Sequence, residues 1–221
     1  MTSEPGRDLE IRDLVSDELA WTPDVDAAGI GVAVEDGAVI LSGEVDSYAE
    51  LIAAKRAALR VRGVRTLVDD LKVHPSSSST VTATDIAREV KHALEAAADV
   101  PATVKAQIDG RSITLTGEVD HDYQRTAAKR AVQFLRGIHS VDSRIMLKAR
   151  PSAADTEERI RNAITRNALL DARRIHVRAE GSKVVLSGIA ATSAERRQAA
   201  NTAWASPHVT DVDNQIIVRG Y

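Results

Sequence analysis

The feature that most constrains this chain is a short pattern that occurs three times. Asp36-Gly37-Ala38-Val39-Ile40-Leu41-Ser42-Gly43-Glu44-Val45 returns as Asp109-Gly110 through Gly117-Glu118-Val119, and again as Glu180-Gly181 through Gly188-Ile189. The acid-glycine pair supplies the positive φ that a tight hairpin turn requires. An alternating apolar strand follows, and a second glycine is expected to end it where the backbone turns sharply. The closing glycines Gly43, Gly117 and Gly188 stand 74 and 71 residues apart. A period of that length divides 221 residues into three small units, where length alone suggests one or two domains. Units of this size bury too little surface to be more than marginally stable alone, so contacts between repeats are expected to add stability.

Around each copy the periodicity reads α-β-β-α-β. Ile11, Leu14, Val15 and Leu19 form the stripe of a first helix near residues 8–20. Ile30, Val32 and Val34 alternate as a strand, and Val39, Leu41 and Val45 follow on the next. Leu51, Ala54, Ala58 and Val61 stripe a second helix, Gly63 caps it, and Val64 to Val73 gives a third strand. Gly137 holds the capping place in the second repeat, and Pro207-His208 replaces it in the third, where the turn should differ. Asp155 to Glu158 has the spacing of a capping box at the start of the third repeat. The serine-rich stretch 75–80 reads as a linker, and a shorter joint with Pro151 spans about 148–154. The predicted fold is α+β: three tandem units over 7–74, 83–148 and 154–220, each a three-stranded sheet with two helices on one face. Strand order stays open at this level, although the step from second to third strand should be a right-handed crossover.

The order of glycines, apolar strand residues and a mid-helix alanine resembles the BON domain, the bacterial osmotically inducible and nodulation family. The final strands carry the rest of the likeness: Gly63-Val64 to Val73, Gly137-Ile138 to Leu147, and Val209 to Val218. An asparagine is frequent in that last strand; Asn214 keeps it, with Asp69 and Ser143 in the same place. The resemblance implies a non-enzymatic protein with no cofactor, tied to phospholipid surfaces, to envelope integrity under osmotic stress or to holding unfolded clients. A related cytoplasmic protein that adds a second module is associated with potassium sensing, which gives a further alternative reading, although these 221 residues show no such module.

Composition agrees with a binding role and argues against several chemistries. No cysteine is present, so disulfide and thiol chemistry are excluded. The six histidines show no ligand spacing and do not recur between repeats, which predicts no metal site. Asp36, Asp109 and Glu180 recur, but beside the turn glycine, where an acid commonly bonds nearby backbone. No catalytic residue is predicted. A net charge of −3 makes nucleic acid an unsuitable partner for the whole chain. The polar start and the lack of a long apolar run predict a cytoplasmic chain, peripheral to the membrane at most.

The second helices are instead basic. Lys55, Arg56, Arg60, Arg62 and Arg65 have only Asp46 and Glu50 as near acids in sequence. Arg125, Lys129, Arg130 and Arg136 follow in the second repeat, and Arg196 and Arg197 in the third. Such a surface suits anionic headgroups, at about 1 kcal/mol per cation. Trp204, outside the inward stripe, is a candidate interfacial anchor, and Trp21 is expected at the rim of the core. The alternative partner is a protein: an adaptor or holdase using grooves between units.

Overall fold

The structure, a computed structural model, describes residues 5–74, 81–149, 151 and 155–219. The predicted linker 75–80 and much of the joint near Pro151 lie outside the described residues. The first repeat comprises α1 (Pro5–Trp21), β1 (Ile30–Glu35), β2 (Ala38–Val45), α2 (Tyr48–Ala58) and β3 (Thr66–Val73). The second comprises α3 (Ala83–Ala96), β4 (Lys105–Asp109), β5 (Ser112–Val119), α4 (Asp122–Val132) and β6 (Ser140–Leu147). The third comprises α5 (Thr156–Arg166), β7 (Ile175–Glu180), β8 (Lys183–Ala190), α6 (Ser193–Trp204), β9 (Asp211–Asn214) and β10 (Ile217–Val218). The α+β plan read from the sequence is the one observed.

Strand order is settled by the pairing. The second strand of each repeat lies in the middle, as in β1-β2-β3 and β4-β5-β6. In the second and third repeats the first strand joins it antiparallel and the last joins it parallel. β9 and β10 together take the place of β6. Asp211 faces Lys183 and Ile217 faces Ile189, so both pieces keep one register along β8. Between them the amide of Gln215 still donates to the Leu186 carbonyl at 2.8 Å, so this is one edge strand with a local interruption.

The apolar stripes close over the sheets. In the second repeat the core is Ile86 and Val90 of α3, Ile113, Leu115 and Val119 of β5, Ala128 and Val132 of α4, and Val141 and Ile145 of β6. Ile11, Val15 and Leu19 are buried on α1 as their spacing predicts, but Leu14 is exposed. Ala168, placed in the stripe of the third repeat, lies beyond the end of α5 and is exposed. Trp21 is not at the rim of the core; it is 83% exposed. Trp204 is the reverse, half-buried against the core of its own repeat. The equivalent Gln133 is buried, so this helix position faces inward and Trp204 is no free anchor.

Two readings of the repeated pattern are corrected. The second glycine does not end its strand, because β5 runs through Gly117 to Val119 and β8 through Gly188 to Ala190. It sits at an inward position of the central strand, with φ +126° at Gly117 and +117° at Gly188. There the chain entering the first strand crosses so closely that an added Cβ would lie 2.3 Å from the Thr103 carbonyl oxygen or 2.0 Å from that of Arg174. The turn also differs between repeats. Asp36 (φ 50°) and Gly37 (φ 73°) both take positive φ, as an acid-glycine turn should. In the later repeats Asp109 and Glu180 are the last strand residues, paired with Ser112 and Lys183, and the turns are Gly110-Arg111 and Gly181-Ser182. Gly37 and Gly43 are six positions apart, but Gly110 and Gly117, like Gly181 and Gly188, are seven apart. That extra residue moves the turn one place along the chain.

Contacts divide the chain into two compact units. One holds Met1–Ser42, Ala53–Asp70 and Ala149–Tyr221; the other holds Gly43–Ile52 and Leu71–Lys148. Within the second, Tyr48 packs on the core that α3 and α4 cover. Within the first, the Ser193 hydroxyl donates to the Val64 carbonyl at 2.7 Å.

Candidate anionic-surface site

The basic residues picked out by the sequence separate into engaged and free groups. Lys55 pairs with Asp69 at 2.7 Å, and Arg60 pairs with Glu18 at 2.7 Å while also donating to Thr22. Neither acid is a sequence neighbour, so the expectation that only Asp46 and Glu50 lie near is corrected by tertiary contact. Glu50 does other work, accepting from the Asp46 amide at 2.7 Å. Arg125 pairs with Asp122 one turn back. Arg196 donates to the Asn214 carbonyl at 3.2 Å, and Arg65 donates weakly to the Asp36 carbonyl at 3.4 Å. Arg56, Arg62, Lys129, Arg130, Arg136 and Arg197 are exposed, and among the described residues none of them forms an ion pair.

Three of these free cations cluster in sequence at one helix end. Lys129 and Arg130 occupy the last turn of α4, where the helix dipole favours positive charge, and Arg136 follows shortly after. Between them stands Phe134, 59% exposed and the only phenylalanine of the chain. The sequence reading passed over Phe134 because its neighbours Val132 and Leu135 belong to the stripe. An aromatic ring flanked by basic residues was the available signal.

Residues that recur between repeats are structural. Glu50, Gln124 and Glu195 each stand seven places after the strand glycine and reach back to backbone amides before their helix. Gln124 Oε1 accepts from Asp120 at 2.9 Å and His121 at 3.0 Å, and Glu195 accepts from Ala191 at 2.6 Å and Asp171 at 3.1 Å. These box the second helices, a signature the sequence held but the reading missed. The box predicted at Asp155 does not form. Asp155 binds Arg159 instead, at 2.6 Å, whereas Thr82 and Asp85 box α3. The Thr82 bonds, ahead of Arg88, hold the Asp85 carboxyl below the usual range.

Asn214 also works on the fold. Its amide donates to the Arg196 carbonyl at 3.1 Å and its oxygen accepts from Ile216 at 3.2 Å, at the interruption of the edge strand. Asp69 uses the same place for its ion pair with Lys55, and the Ser143 hydroxyl is buried with no partner among the described residues. The turn acids do not bond their own backbone as expected in the third repeat, where Glu180 pairs with Arg178 at 3.1 Å. His139 has its Nε2 sealed from solvent with no partner among the described residues; burial first, then the charges of Arg111 and His74, hold its pKa below the ordinary value.

The BON domain model matches three times, over residues 7–75, 82–149 and 152–220. The chain belongs to the BON domain family. It carries three tandem copies, whose family is typically non-enzymatic and made of binding modules of stress and envelope biology. No curated protein sequence matches the chain. Among solved structures, CdsD, a structural protein of the type III secretion system of Chlamydia trachomatis, aligns at 10% identity over 96% of this chain and 93% of that one, with a TM-score of 0.28. The CdsD C-terminal domain aligns at 9% identity over 99% and 100%, with a TM-score of 0.27. The periplasmic domain of PrgH aligns at 9% identity over 86% and 95%, with a TM-score of 0.22. Scores this low establish no common fold. No helix among the described residues is long and apolar enough to cross a membrane.

Proposed function

We propose that this BON-repeat protein is a non-enzymatic binding module that attaches peripherally to anionic phospholipid surfaces, from the cytoplasmic side, in response to envelope stress. The observation that carries this reading is the end of α4, where exposed Phe134 stands in sequence between the exposed cations Lys129, Arg130 and Arg136, none of which forms an ion pair among the described residues. A ring of that kind enters the headgroup boundary while the cations stay with the phosphates. Arg56 and Arg62 in the first repeat, and Arg197 in the third, offer further weak attachment of the same sign. Lys55, Arg60 and Arg196 keep their protein partners and contribute less.

Each cation near an anionic surface is worth about 1 kcal/mol, and the term fades beyond a Debye length of about 8–10 Å. The test is sedimentation of the whole chain with vesicles of phosphatidylglycerol and phosphatidylcholine, or phosphatidylcholine alone, at low salt. The expected result is pelleting with the anionic vesicles only, reduced at least about tenfold by Arg130→Glu with Arg136→Glu and also weakened by Phe134→Ser. Equal, negligible pelleting with both vesicles would remove the lipid assignment.

A further inference from the structure

The order β4-β5-β6 leaves β4 with one side unpaired by its own sheet. Its hairpin closes at Asp109 opposite Ser112, across the two turn residues Gly110 and Arg111. A two-residue hairpin closes on a doubly hydrogen-bonded pair, and such pairs alternate along an antiparallel ladder. Lys105, Gln107 and Asp109 therefore bond β5, while the N–H and C=O groups of Ala106 and Ile108 turn outward. The third repeat checks this assignment. Ala179 stands where Ile108 stands, and its amide donates to Glu157 Oε2 at 3.1 Å, not to β8.

That contact shows how the third repeat covers this edge, and in the first repeat an acid at the same place covers the adjoining turn. Glu157 lies in the first turn of α5, three residues before the buried Ile160. Asp8 holds the same place in α1, three residues before Ile11, and accepts from the turn amides of Asp36 at 2.9 Å and Gly37 at 3.1 Å. The matching residue of α3, three before Ile86, is Ala83, which has no acceptor to offer. Among the described residues no side chain bonds the outward amides of Ala106 and Ile108. Beside them lies an open cleft of about 600 Å³, lined by Val90 and Leu94 of α3, Val100, and Ala106 and Ile108 of β4.

The edge is complementary to itself. If β4 pairs antiparallel with a second β4, joining the outward groups sets Ala106 of one copy opposite Ile108 of the other. That register centres on Gln107 and places Lys105 of each copy opposite Asp109 of the other, all on the exposed face of the strand. The same operation on β7 would set Arg178 against Arg178, and on β1 it would set Gly31 against Glu35. Like charges opposite one another oppose pairing, and opposite charges favour it.

We propose that β4 is a self-association edge, by which two copies of this chain form one continuous sheet across a two-fold axis. The Ala106 and Ile108 side chains of the two copies then stand side by side where the two clefts meet, and the Lys105–Asp109 pairs fix the register. The test is sedimentation equilibrium of the full chain and three variants: Lys105→Asp, Asp109→Lys, and both together. Either single change sets like charges opposite at two symmetric places and should raise the dimer Kd at least about tenfold. The double change restores opposite charges and should return the Kd to within about threefold of the parent. Circular dichroism should stay unchanged, since these side chains do not reach the core. A chain that stays monomeric at about 500 μM overturns the proposal, including one that binds an extended peptide while monomeric. So does a Kd indifferent to the single changes, or a double variant as weak as either single one.

Discussion

Replacing Gly117 by alanine tests the physical role of the strand glycine, and replacing Gly110 supplies its control. Both have positive φ, +126° and +57°, and both lie in the hairpin of the second repeat. At Gly110 an added Cβ meets nothing within 4 Å, and φ is that of the left-handed well. Alanine there should cost about 1–2 kcal/mol of backbone strain. At Gly117 the φ is one that side-chain-bearing residues rarely hold, for about 1–3 kcal/mol. In addition the Cβ would stand 2.3 Å from the Thr103 carbonyl oxygen, so backbone must move by most of an ångström to restore contact. That oxygen belongs to the segment leading into β4 and cannot rotate away as a side chain would. The sum is roughly 3–5 kcal/mol, the range reserved for severe single changes. A unit of about 70 residues has only about 4–10 kcal/mol in total, so Gly117→Ala should unfold much of the second repeat near 37 °C. Amide exchange of β5 and α4 in the full chain, read beside thermal unfolding, separates this repeat from the others. Equal costs for the two substitutions would refute the argument that backbone crossing, and not the turn, demands the glycine.

Glu195→Ala should cost about 2–3 kcal/mol in urea unfolding, because the amides of Ala191 and Asp171 lose their acceptor, with Glu195→Gln milder; a change under about 0.5 kcal/mol would show that water replaces the carboxylate. The folded pKa of His139 lies below the ordinary value of about 6.5, so the unfolded chain binds more protons in the window beneath it. Its contribution is therefore complete above about pH 7 and falls as pH drops through about 6.5 toward the folded value. His139→Thr, the residue the third repeat has in Thr210, should flatten the fall in melting temperature between about pH 7 and 5; an unchanged slope would place the proton elsewhere.

Much of the architecture was legible because it is carried by local periodicity. Ile86 and Val90, Ile113 and Leu115, and Ala128 and Val132 are each buried where helix or strand spacing put them. Local spacing says less about which charge meets which. Lys55 and Arg60 look free in sequence, and are not, because Asp69 and Glu18 reach them from other elements. Phe134, just past the end of α4, is exposed while Val132 and Leu135 beside it pack on the core, a division that depends on where the sheet lies and not on local spacing.

The sequence by itself determined three copies of one α-β-β-α-β unit, since alternation, helical stripes and turn glycines act over a few residues. Tertiary structure alone decided the strand order, the backbone crossing at Gly117 and Gly188, and the carboxylate cover that Glu157 provides and Ala83 lacks. Those depend on distances between segments remote in the chain, which residue order does not encode until the core has closed around them.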